Sequence, residues 1–559
     1  MNQELVADHA TPTTIEEAVS GPDAEQWKAA IAEELRSLKH CAVWKVVLLS
    51  AVSRSCKAIP TKWVFKLKSD GAGQIARFKA RLVVCGYRQK FGRDYDQTFA
   101  PVAHAASIRL ILALAVAFNL HLHQFDVKTA FLYGVLPANQ RVYLLPPKGV
   151  PVAPGHVLEL HKAMYGLKQA PLLWNRHLHS TLTAMSFTRS HFDPCVYFRK
   201  PAADLFIYVA IVVDDILVAS SSRELAEEFA AKLRKVYTIT DLGQPRRLVG
   251  INITPVKDGL QLDQCQFVRD VAAEFKQSKC KPVSTPIAPG TVPTGASPDL
   301  PPGHRYLSLV GSLLWASVTR PDIAVAVSIA CAKSAKPTKA DLAAAIRILR
   351  YLLHTPSVKL TFVKNSVPAV LVFCDSAWAN APRARSRFGY IVCIYGCPII
   401  WESKLSTMVC LSTAEAEYVA AVHAVKSALW LARLMSELLH QPVPSVWVLE
   451  DNQACINMAT NPVISSRNRH FAMRMWWLRD QVEKGTIALR HLATEHQLAD
   501  VFTKVLPSPR FLQLRDYLMS GRGAFTLTAK VILSTPGGGV SKDTPVTPVS
   551  QDHLPPEDL

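Results

Sequence analysis

IYVAIVVDDILVAS, residues 207–220, consists of two β-rich runs on either side of an aspartate pair. Two such runs joined by a two-residue turn predict a β-hairpin, with Asp214 and Asp215 at its tip. Aspartate also favours turns because its side chain hydrogen-bonds the local backbone, so an ordinary turn is the better interpretation of this pair alone. A functional interpretation therefore depends on which other residues lie beside the hairpin.

A third carboxylate, Asp126, ends the segment LHLHQFD (residues 120–126), whose alternating pattern predicts a strand. Nucleotidyl transfer requires two divalent cations about 4 Å apart, and magnesium takes carboxylate oxygens as ligands. If this strand and the hairpin are neighbours in one sheet, Asp126, Asp214 and Asp215 could hold such ions. Phe131 could pack against the incoming sugar and exclude a 2′-hydroxyl, although an isolated Phe is more often an ordinary core residue.

The chain of 559 residues is too long for one hydrophobic core, since single cores stop growing at about 300 residues. Folded structure is expected from about residue 23. A Pro-, Thr- and Ser-rich stretch at 282–302 predicts a linker to a helical segment. Strands ending at Asp375 and Asp451, with a long helix at 413–439 between them, then predict a separate α/β unit.

Charge and cysteine usage indicate the partner and the compartment. The formal net charge of +19 favours a polyanionic partner, with nucleic acid as the first choice and a membrane surface as the second. A surplus that only aids solubility is the alternative. The twelve cysteines form no CxxC pair, which favours reduced thiols in an intracellular protein. No apolar run is long enough to span a bilayer.

Three motifs occur in a fixed order along the chain: DVKTAFLYG (126–134), MYGLKQAPLLWN (164–175) and VVDDILVAS (212–220). Together they resemble the reverse transcriptase of copia-type LTR retrotransposons. TKWVFKLKSDG (61–71) is similar to a further motif of that family. The resemblance extends from about residue 23 to residue 520.

This resemblance implies an α/β and α+β multidomain chain. A right-hand polymerase of palm, fingers and thumb would be followed by a ribonuclease H-like α/β domain. The expected parts are a flexible N-terminus (1–22), reverse transcriptase fingers and palm (23–290), a helical thumb or connection (291–362), a ribonuclease H-like domain (363–520) and a disordered tail (521–559).

The resemblance also implies roles for individual residues of the polymerase. The metal triad would be Asp126, Asp214 and Asp215. Phe131 would discriminate against ribose, and Gln169 would contact the incoming nucleotide or the template beside it. In the basic hairpin at 63–84, Lys79 and Arg81 are candidates for cradling the triphosphate, because a flexible cation and a bidentate fork both suit phosphate oxygens. A solvated basic face is the alternative for these two cations.

Four further acids fit a second two-metal site, which would hydrolyse the RNA strand of a hybrid. They are Asp375, Glu417, Asp451 and Asp500. Each acid taken singly is more readily a solvated surface residue. Glu415 competes with Glu417, but Ser412 three residues before it makes a capping-box pattern, so Glu415 is predicted to be structural. A nearby cluster could grip hybrid phosphates or lie in a solvated loop: Arg383, Arg385 and Arg387.

The sequence departs from the family pattern at four positions. Val212 stands where the family has the Tyr that precedes Val-Asp-Asp, and Ala377 stands where it often has a second Asp. Cys85 and Leu172 occupy positions where Lys and Arg are common, so phosphate contacts would be weaker. None of these changes removes a predicted metal ligand.

The resulting prediction is an RNA-directed DNA polymerase with ribonuclease H activity. It would use two Mg²⁺ or Mn²⁺ ions per active site and act on an RNA template, a DNA primer, dNTPs and RNA–DNA hybrids. The chain would be a fragment of a Gag-Pol polyprotein, located in a cytoplasmic virus-like particle or the nucleus. The alternative is a catalytically decayed remnant that only binds nucleic acid.

Overall fold

The computed structural model describes residues 11–52, 57–69, 75–288, 297–364, 370–442, 446–461, 471–521 and 523. Most of the predicted tail and part of the predicted linker lie outside these ranges. The described residues form a mixed α/β architecture, which agrees with the α/β and α+β part of the predicted fold class.

The first half of the chain, to residue 243, combines helices with two sheets and a separate hairpin. Its helices are α1 (Ile15–Ser20), α2 (Ala24–His40), α3 (Ala105–Phe118), α4 (Ala170–Ala184) and α5 (Arg223–Arg234). Its strands are β1 (Trp44–Leu48), β2 (Thr61–Ser69), β3 (Ile75–Val84), β4 (His121–Val127), β5 (Tyr143–Leu144), β6 (His156–Leu160), β7 (Thr188–Arg189), β8 (Val196–Ala202), β9 (Leu205–Val212), β10 (Asp215–Ser220) and β11 (Ile239–Gly243).

Helix α1 lies within the segment expected to be flexible. Thr14 caps it by accepting a hydrogen bond from the Glu17 amide, and Lys148 binds Glu16 at 2.6 Å. Such a short helix shows no sustained apolar period, so the capping threonine is its main sequence signal. The next helix, α2, buries Trp27 edge-on against Phe65 of the β2–β3 hairpin, which fixes the basic hairpin on the helix.

A six-stranded antiparallel sheet forms the centre of this half, in the order β11-β4-β10-β9-β8-β7. Successive residues of a strand face opposite sides, and both sides of this sheet are covered. Tyr208 and Leu217 belong to the core shared with α3, whereas Val209 and Ile216 pack with α4 and α5. Burial on both faces explains why β9 and β10 are apolar along most of their length.

The β9–β10 hairpin agrees with the sequence prediction, with one difference at its tip. Val212 pairs with Asp215, so the turn residues are Val213 and Asp214. Asp215 is the first residue of β10 and pairs on its other side with Asp126 of β4. The two consecutive aspartates therefore have different backbone settings, one in the turn and one in the sheet.

A second sheet and a group of helices follow this central sheet. The strands are β12 (Arg247–Leu248), β13 (Ile251–Val256), β14 (Gly259–Asp263) and β15 (Leu360–Val363), and the helices are α6 (Cys265–Glu274), α7 (Tyr306–Ala316), α8 (Ala324–Ala332) and α9 (Lys339–Leu353). Strand β15 comes after the helices and returns to pair with β14. The helical segment is thus closed at both ends by one antiparallel sheet.

The last part of the chain forms a five-stranded mixed sheet in the order β18-β17-β16-β19-β20. Its strands are β16 (Val370–Ala381), β17 (Arg385–Ile394), β18 (Cys397–Leu405), β19 (Val446–Glu450) and β20 (Ile487–His491). Its helices are α10 (Thr413–Leu439), α11 (Gln453–Thr460), α12 (Ala472–Glu483), α13 (Asp500–Thr503) and α14 (Ser508–Met519). Strands β16, β19 and β20 are parallel, and α10 packs across the sheet. Within the described ranges, no helix has the length and apolarity needed to cross a membrane.

The central sheet and the C-terminal sheet are joined by specific contacts. Arg109 of α3 donates to the Ile399 carbonyl at 2.8 Å and lies over the Trp401 ring. Trp430 of α10 donates to the Phe192 carbonyl at 3.0 Å. These contacts accompany one continuous hydrophobic core that includes residues of both sheets.

Candidate active sites

The first candidate site, called the hairpin site below, consists of Asp126, Asp214 and Asp215. Asp126 and Asp215 are directly opposed on neighbouring antiparallel strands, so their side chains lie on the same face of the sheet. Asp214 is the adjacent turn residue, and all three are partly exposed. The structure therefore meets the condition that the sequence prediction required, namely that strand β4 and the hairpin are neighbours.

The tip of the hairpin is held in an unfavourable backbone conformation. Val213 has a φ of 59°, which is costly for a β-branched residue. The Trp174 indole donates to the Val213 carbonyl at 2.6 Å, and the Val127 amide donates to the Asp214 carbonyl at 2.9 Å. Gln124 donates to a carboxylate oxygen of Asp215 at 3.0 Å. Sequence reasoning missed Trp174 and Gln124, because their hydrogen-bond partners at the hairpin lie 39 and 91 residues away in sequence.

Two of the predicted substrate-binding residues meet at one aromatic side chain, Tyr165. The Phe131 ring lies edge-on to Tyr165, with ring centroids 5.0 Å apart, and the Arg81 guanidinium lies 4.4 Å from the Tyr165 centroid. Burial, followed by the nearby charge of Asp214, raises the pKa of Tyr165. Arg81, Phe131 and Asp214 are therefore grouped around a residue that the sequence analysis did not single out, although it lies in the MYGLKQAP motif.

The other two predicted contacts, Lys79 and Gln169, have different surroundings. Lys79 is partly buried on β3 and shares a face with Arg81. Gln169 is only 1% exposed. Its carboxamide donates to the Asp94 carbonyl and accepts from the Gln89 side chain, each at 2.9 Å. Gln169 thus links the start of α4 to residues 89–94, and its contact with nucleotide or template stays a prediction.

The second candidate site, called the C-terminal acidic cluster below, consists of Asp375, Glu417 and Asp451. They come from β16, from the first turns of α10 and from the end of β19. One ligand atom from each lies within 4.8 Å of the others. Across the part of the chain that the structure describes, no other three acidic, His or Cys side chains approach so closely.

Burial makes this cluster electrostatically costly. Asp375 and Glu417 are 1% and 4% exposed. Burial raises the pKa of Glu417, and the neighbouring charges of Glu450, Asp375 and Asp451 raise it further. Oε2 of Glu417 is buried and accepts no hydrogen bond among the described residues. An unpartnered buried oxygen within a set of carboxylates fits a divalent cation such as Mg²⁺ or Mn²⁺.

Glu450 is a further buried acid beside the cluster, and the sequence analysis did not identify it. It is fully buried, and it accepts hydrogen bonds from the Asn452 amide at 3.1 Å and the Cys374 thiol at 3.3 Å. Burial raises the pKa of Glu450 to about 8. Its position immediately before Asp451 at the end of a strand was the available sequence signal.

Asp500 does not join the cluster directly. Lys504 lies between Asp375 and Asp500, and its ammonium nitrogen is 3.0 Å from an oxygen of Asp375 and 2.5 Å from an oxygen of Asp500. Thr503 donates its hydroxyl to Asp375, and Arg510 approaches Asp500 at 3.4 Å. The fourth predicted ligand is thus connected to Asp375 through a cation of the chain itself.

Glu415 has the capping role that distinguished it from Glu417. Its amide donates to the Ser412 hydroxyl, and its carboxylate accepts from the Leu411 amide at 2.8 Å. Two of the three clustered arginines hydrogen-bond other residues of the chain, which differs from the contact with hybrid phosphates that was expected for them. Arg387 is buried and donates to Ser328 at 2.7 Å, and Arg385 donates to the Ser406 carbonyl. That expectation is wrong for Arg387, because its side chain is buried and hydrogen-bonds Ser328 of α8.

Comparison with known proteins relates the chain to a reverse transcriptase family model and to Pol polyproteins of transposons. A family model described as reverse transcriptase (RNA-dependent DNA polymerase) matches residues 41–289. The chain is 36% identical over 524 residues to the retrovirus-related Pol polyprotein from transposon TNT 1-94 of Nicotiana tabacum, covering 91% of this chain and 39% of the relative. It is 32% identical over 498 residues to that from transposon RE1 of Arabidopsis thaliana, covering 88% and 34%.

A shorter relative is matched almost completely. The putative transposon Ty5-1 protein of Saccharomyces cerevisiae is 35% identical over 308 residues, which is 54% of this chain and 99% of the relative. By contrast, the chain spans little more than a third of the two plant polyproteins.

Proposed function

The chain belongs to the copia-type retrotransposon Pol family, and from this premise we propose that it is an RNA-directed DNA polymerase with ribonuclease H activity. One observation carries the polymerase proposal. Asp126 and Asp215 are directly opposed on neighbouring strands, beside Asp214, within the segment that matches the reverse transcriptase model.

In this proposal the six-stranded sheet is the palm, and α2 with the β2–β3 hairpin belongs to the fingers. Residues 23–290 would form fingers and palm, 291–362 a helical thumb or connection, and 363–520 the ribonuclease H-like domain. The five-stranded mixed sheet with α10 across it supports the last assignment. The proposed partners are an RNA template, a DNA primer, dNTPs, hybrids and other parts of a Gag-Pol polyprotein, in a virus-like particle or the nucleus.

The polymerase reaction would use the chain's residues in separate roles. Asp126, Asp214 and Asp215 would hold Mg²⁺ or Mn²⁺, and the chemistry supplied there would be activation of the primer hydroxyl and stabilisation of charge on the triphosphate. Arg81 would bind phosphate oxygens from the strand beside Tyr165, and Lys79 would add charge on the same face. Phe131 is held edge-on by Tyr165, which would fix its ring against the sugar.

Hydrolysis of the RNA strand would take place at the C-terminal acidic cluster. Asp375, Glu417 and Asp451 would hold the metal, and the buried unpartnered oxygen of Glu417 supports this assignment. Bound metal would supply an activated water. The chain's contribution is a rigid, water-poor carboxylate set, since burial strengthens the interaction of each acid with a cation.

Primer extension tests the polymerase proposal. Purified chain with Mg²⁺, a poly(rA) template and an oligo(dT) primer should incorporate dTTP, and Asp214→Asn should lower the rate at least about 100-fold. Incorporation by folded wild-type protein that does not exceed the Asp214→Asn background would refute the active enzyme.

The alternative is a decayed remnant that binds nucleic acid without chemistry. Val212, which replaces the family's Tyr, is buried beside the hairpin site and gives this alternative a specific basis. It predicts binding to hybrids that weakens steeply with salt and does not respond to Asp126→Asn. Binding with these properties, together with inactive folded protein, would favour the remnant.

A further inference from the structure

Lys504 occupies an unusual position between two buried acids, Asp375 and Asp500. These acids are 1% and 5% exposed, whereas the Lys504 side chain is 38% exposed. Both contacts are short, and the lysine follows Asp500 by one helical turn. Asp500, a predicted metal ligand, is therefore bound to an ammonium group and lies outside the C-terminal acidic cluster.

We propose that Lys504 is a tethered cation that competes with a divalent ion for Asp375 and Asp500. The inference rests on the proposed hydrolytic site at Asp375, Glu417 and Asp451. One ion would bind that cluster directly, and a second would bind the Asp375–Asp500 side only when the Lys504 side chain moves out. Lys504 would thereby set the affinity for the second ion while keeping the two carboxylates compensated.

The local structure allows the Lys504 side chain to move away from Asp375 and Asp500. Lys504 follows α13, and its amide is anchored to the Asp500 carbonyl at 3.0 Å, so only the side chain has to move. Arg510 contacts the other oxygen of Asp500, which would keep this acid partly compensated afterwards. Thr503 holds Asp375 in place independently of the ammonium group.

A simpler role is the alternative, in which the ion pairs only attach α13 to β16. Both roles predict lower stability when the charge is removed, because two buried carboxylates lose their partner. They differ in the response to metal. If Lys504 competes with the ion, removal of its charge should tighten ion binding. If the ion pairs are purely structural, removal of the charge should not tighten ion binding.

The test uses the full chain with Asp126→Asn and Asp215→Asn, so that ions at the hairpin site do not contribute. Mn²⁺ binding is titrated by the electron paramagnetic resonance of free Mn²⁺. Lys504→Met should bind a second ion at least about tenfold more tightly than the parent, which is the scale of one lost charge-assisted contact. Lys484→Met is the matched control, because Lys484 pairs with Asp480 at the same spacing on an exposed surface.

Three further variants define the outcome. Adding Asp500→Asn to Lys504→Met should abolish the gain, and Lys504→Gln should reproduce it if the methionine variant does not fold. If Asp375→Asn removes an ion from the parent but neither Lys504 variant gains one, only this inference is overturned. If Asp375→Asn leaves the parent's Mn²⁺ binding unchanged, the proposed hydrolytic site fails as well.

Discussion

The hairpin site and the C-terminal acidic cluster both place carboxylates at strand ends, yet they differ in how far the acids are assembled. Asp375, Glu417 and Asp451 are gathered within 4.8 Å, and two of them are buried. At the hairpin site, Asp126 and Asp215 are opposed across two strands, and the acids remain partly exposed. One site is assembled by packing, whereas the acids of the other remain in contact with solvent.

Solvent exposure explains the difference. Water reduces the repulsion between exposed carboxylates, so a solvent-exposed site tolerates three acids without a bound cation. Buried carboxylates lack this screening, and their repulsion must be relieved by protonation, by Lys504 or by a metal ion. The hairpin site instead concentrates strain in its backbone, at Val213.

The largest expected effect separates the two sites by activity. Asp215→Asn should lower primer extension at least about 100-fold and leave hybrid cleavage within about twofold, and Asp375→Asn should do the reverse. Each variant is the control for the other, measured on one preparation with poly(rA)·oligo(dT) and a labelled hybrid. Loss of both activities in either folded variant would contradict two independent centres.

The pH dependence of stability tests the cost of burial. The pKa of Glu450 is raised from 4.5 to about 8, so the folded state binds more protons than the unfolded state between these values. In EDTA the free energy of unfolding should therefore fall as pH rises from 4.5 to 8. Glu450→Gln should be more stable than wild type at pH 8, by about 2–4 kcal/mol.

Denaturant titrations at several pH values in EDTA measure this slope. Glu483→Gln, a change of an exposed acid, is the control and should keep the wild-type slope. An unchanged slope in Glu450→Gln would mean that the charge of this residue is compensated in the folded chain.

A smaller effect is expected from the indole that holds the hairpin tip. Trp174→Phe removes the donor to the Val213 carbonyl and should lower kcat for primer extension about tenfold, with little change in KM. Trp430→Phe removes a comparable indole–carbonyl bond at the junction between the sheets and should leave the rate unchanged. Equal rates in the two variants would show that the Trp174 bond does not position the hairpin.

The smallest effect concerns backbone strain at the same tip. Val213→Gly places a residue that accepts positive φ in the turn and should raise the free energy of unfolding by about 1 kcal/mol. Thermal unfolding measures this gain, and Val409→Gly, at an exposed position of the C-terminal unit, should give none. A destabilised Val213→Gly protein would indicate that the valine side chain contributes more by packing than its backbone costs.

Several residues mark the limit of prediction from sequence. The β9–β10 hairpin, the strand ending at Asp126 and helix α10 follow from local patterns, and the structure contains all three. Capping chemistry predicted a structural role for Glu415, which makes the capping contacts, and Glu417 lies with Asp375 and Asp451. Gln169 and Arg387 are buried against Gln89 and Ser328, respectively. These partners lie 80 and 59 residues away in sequence, and no local pattern indicates such pairs.

By itself, the sequence determined the family, the elements and the acids available for chemistry, because motifs, periodicity and turn residues act over short distances. Only the tertiary structure decided that Asp126 opposes Asp215, that Glu450 is buried and that Lys504 lies between Asp375 and Asp500. Strand register has a period of two residues, so a slip of one residue would turn Asp126 to the other face. Long-range packing fixes that register, and with it the charge and burial of each site.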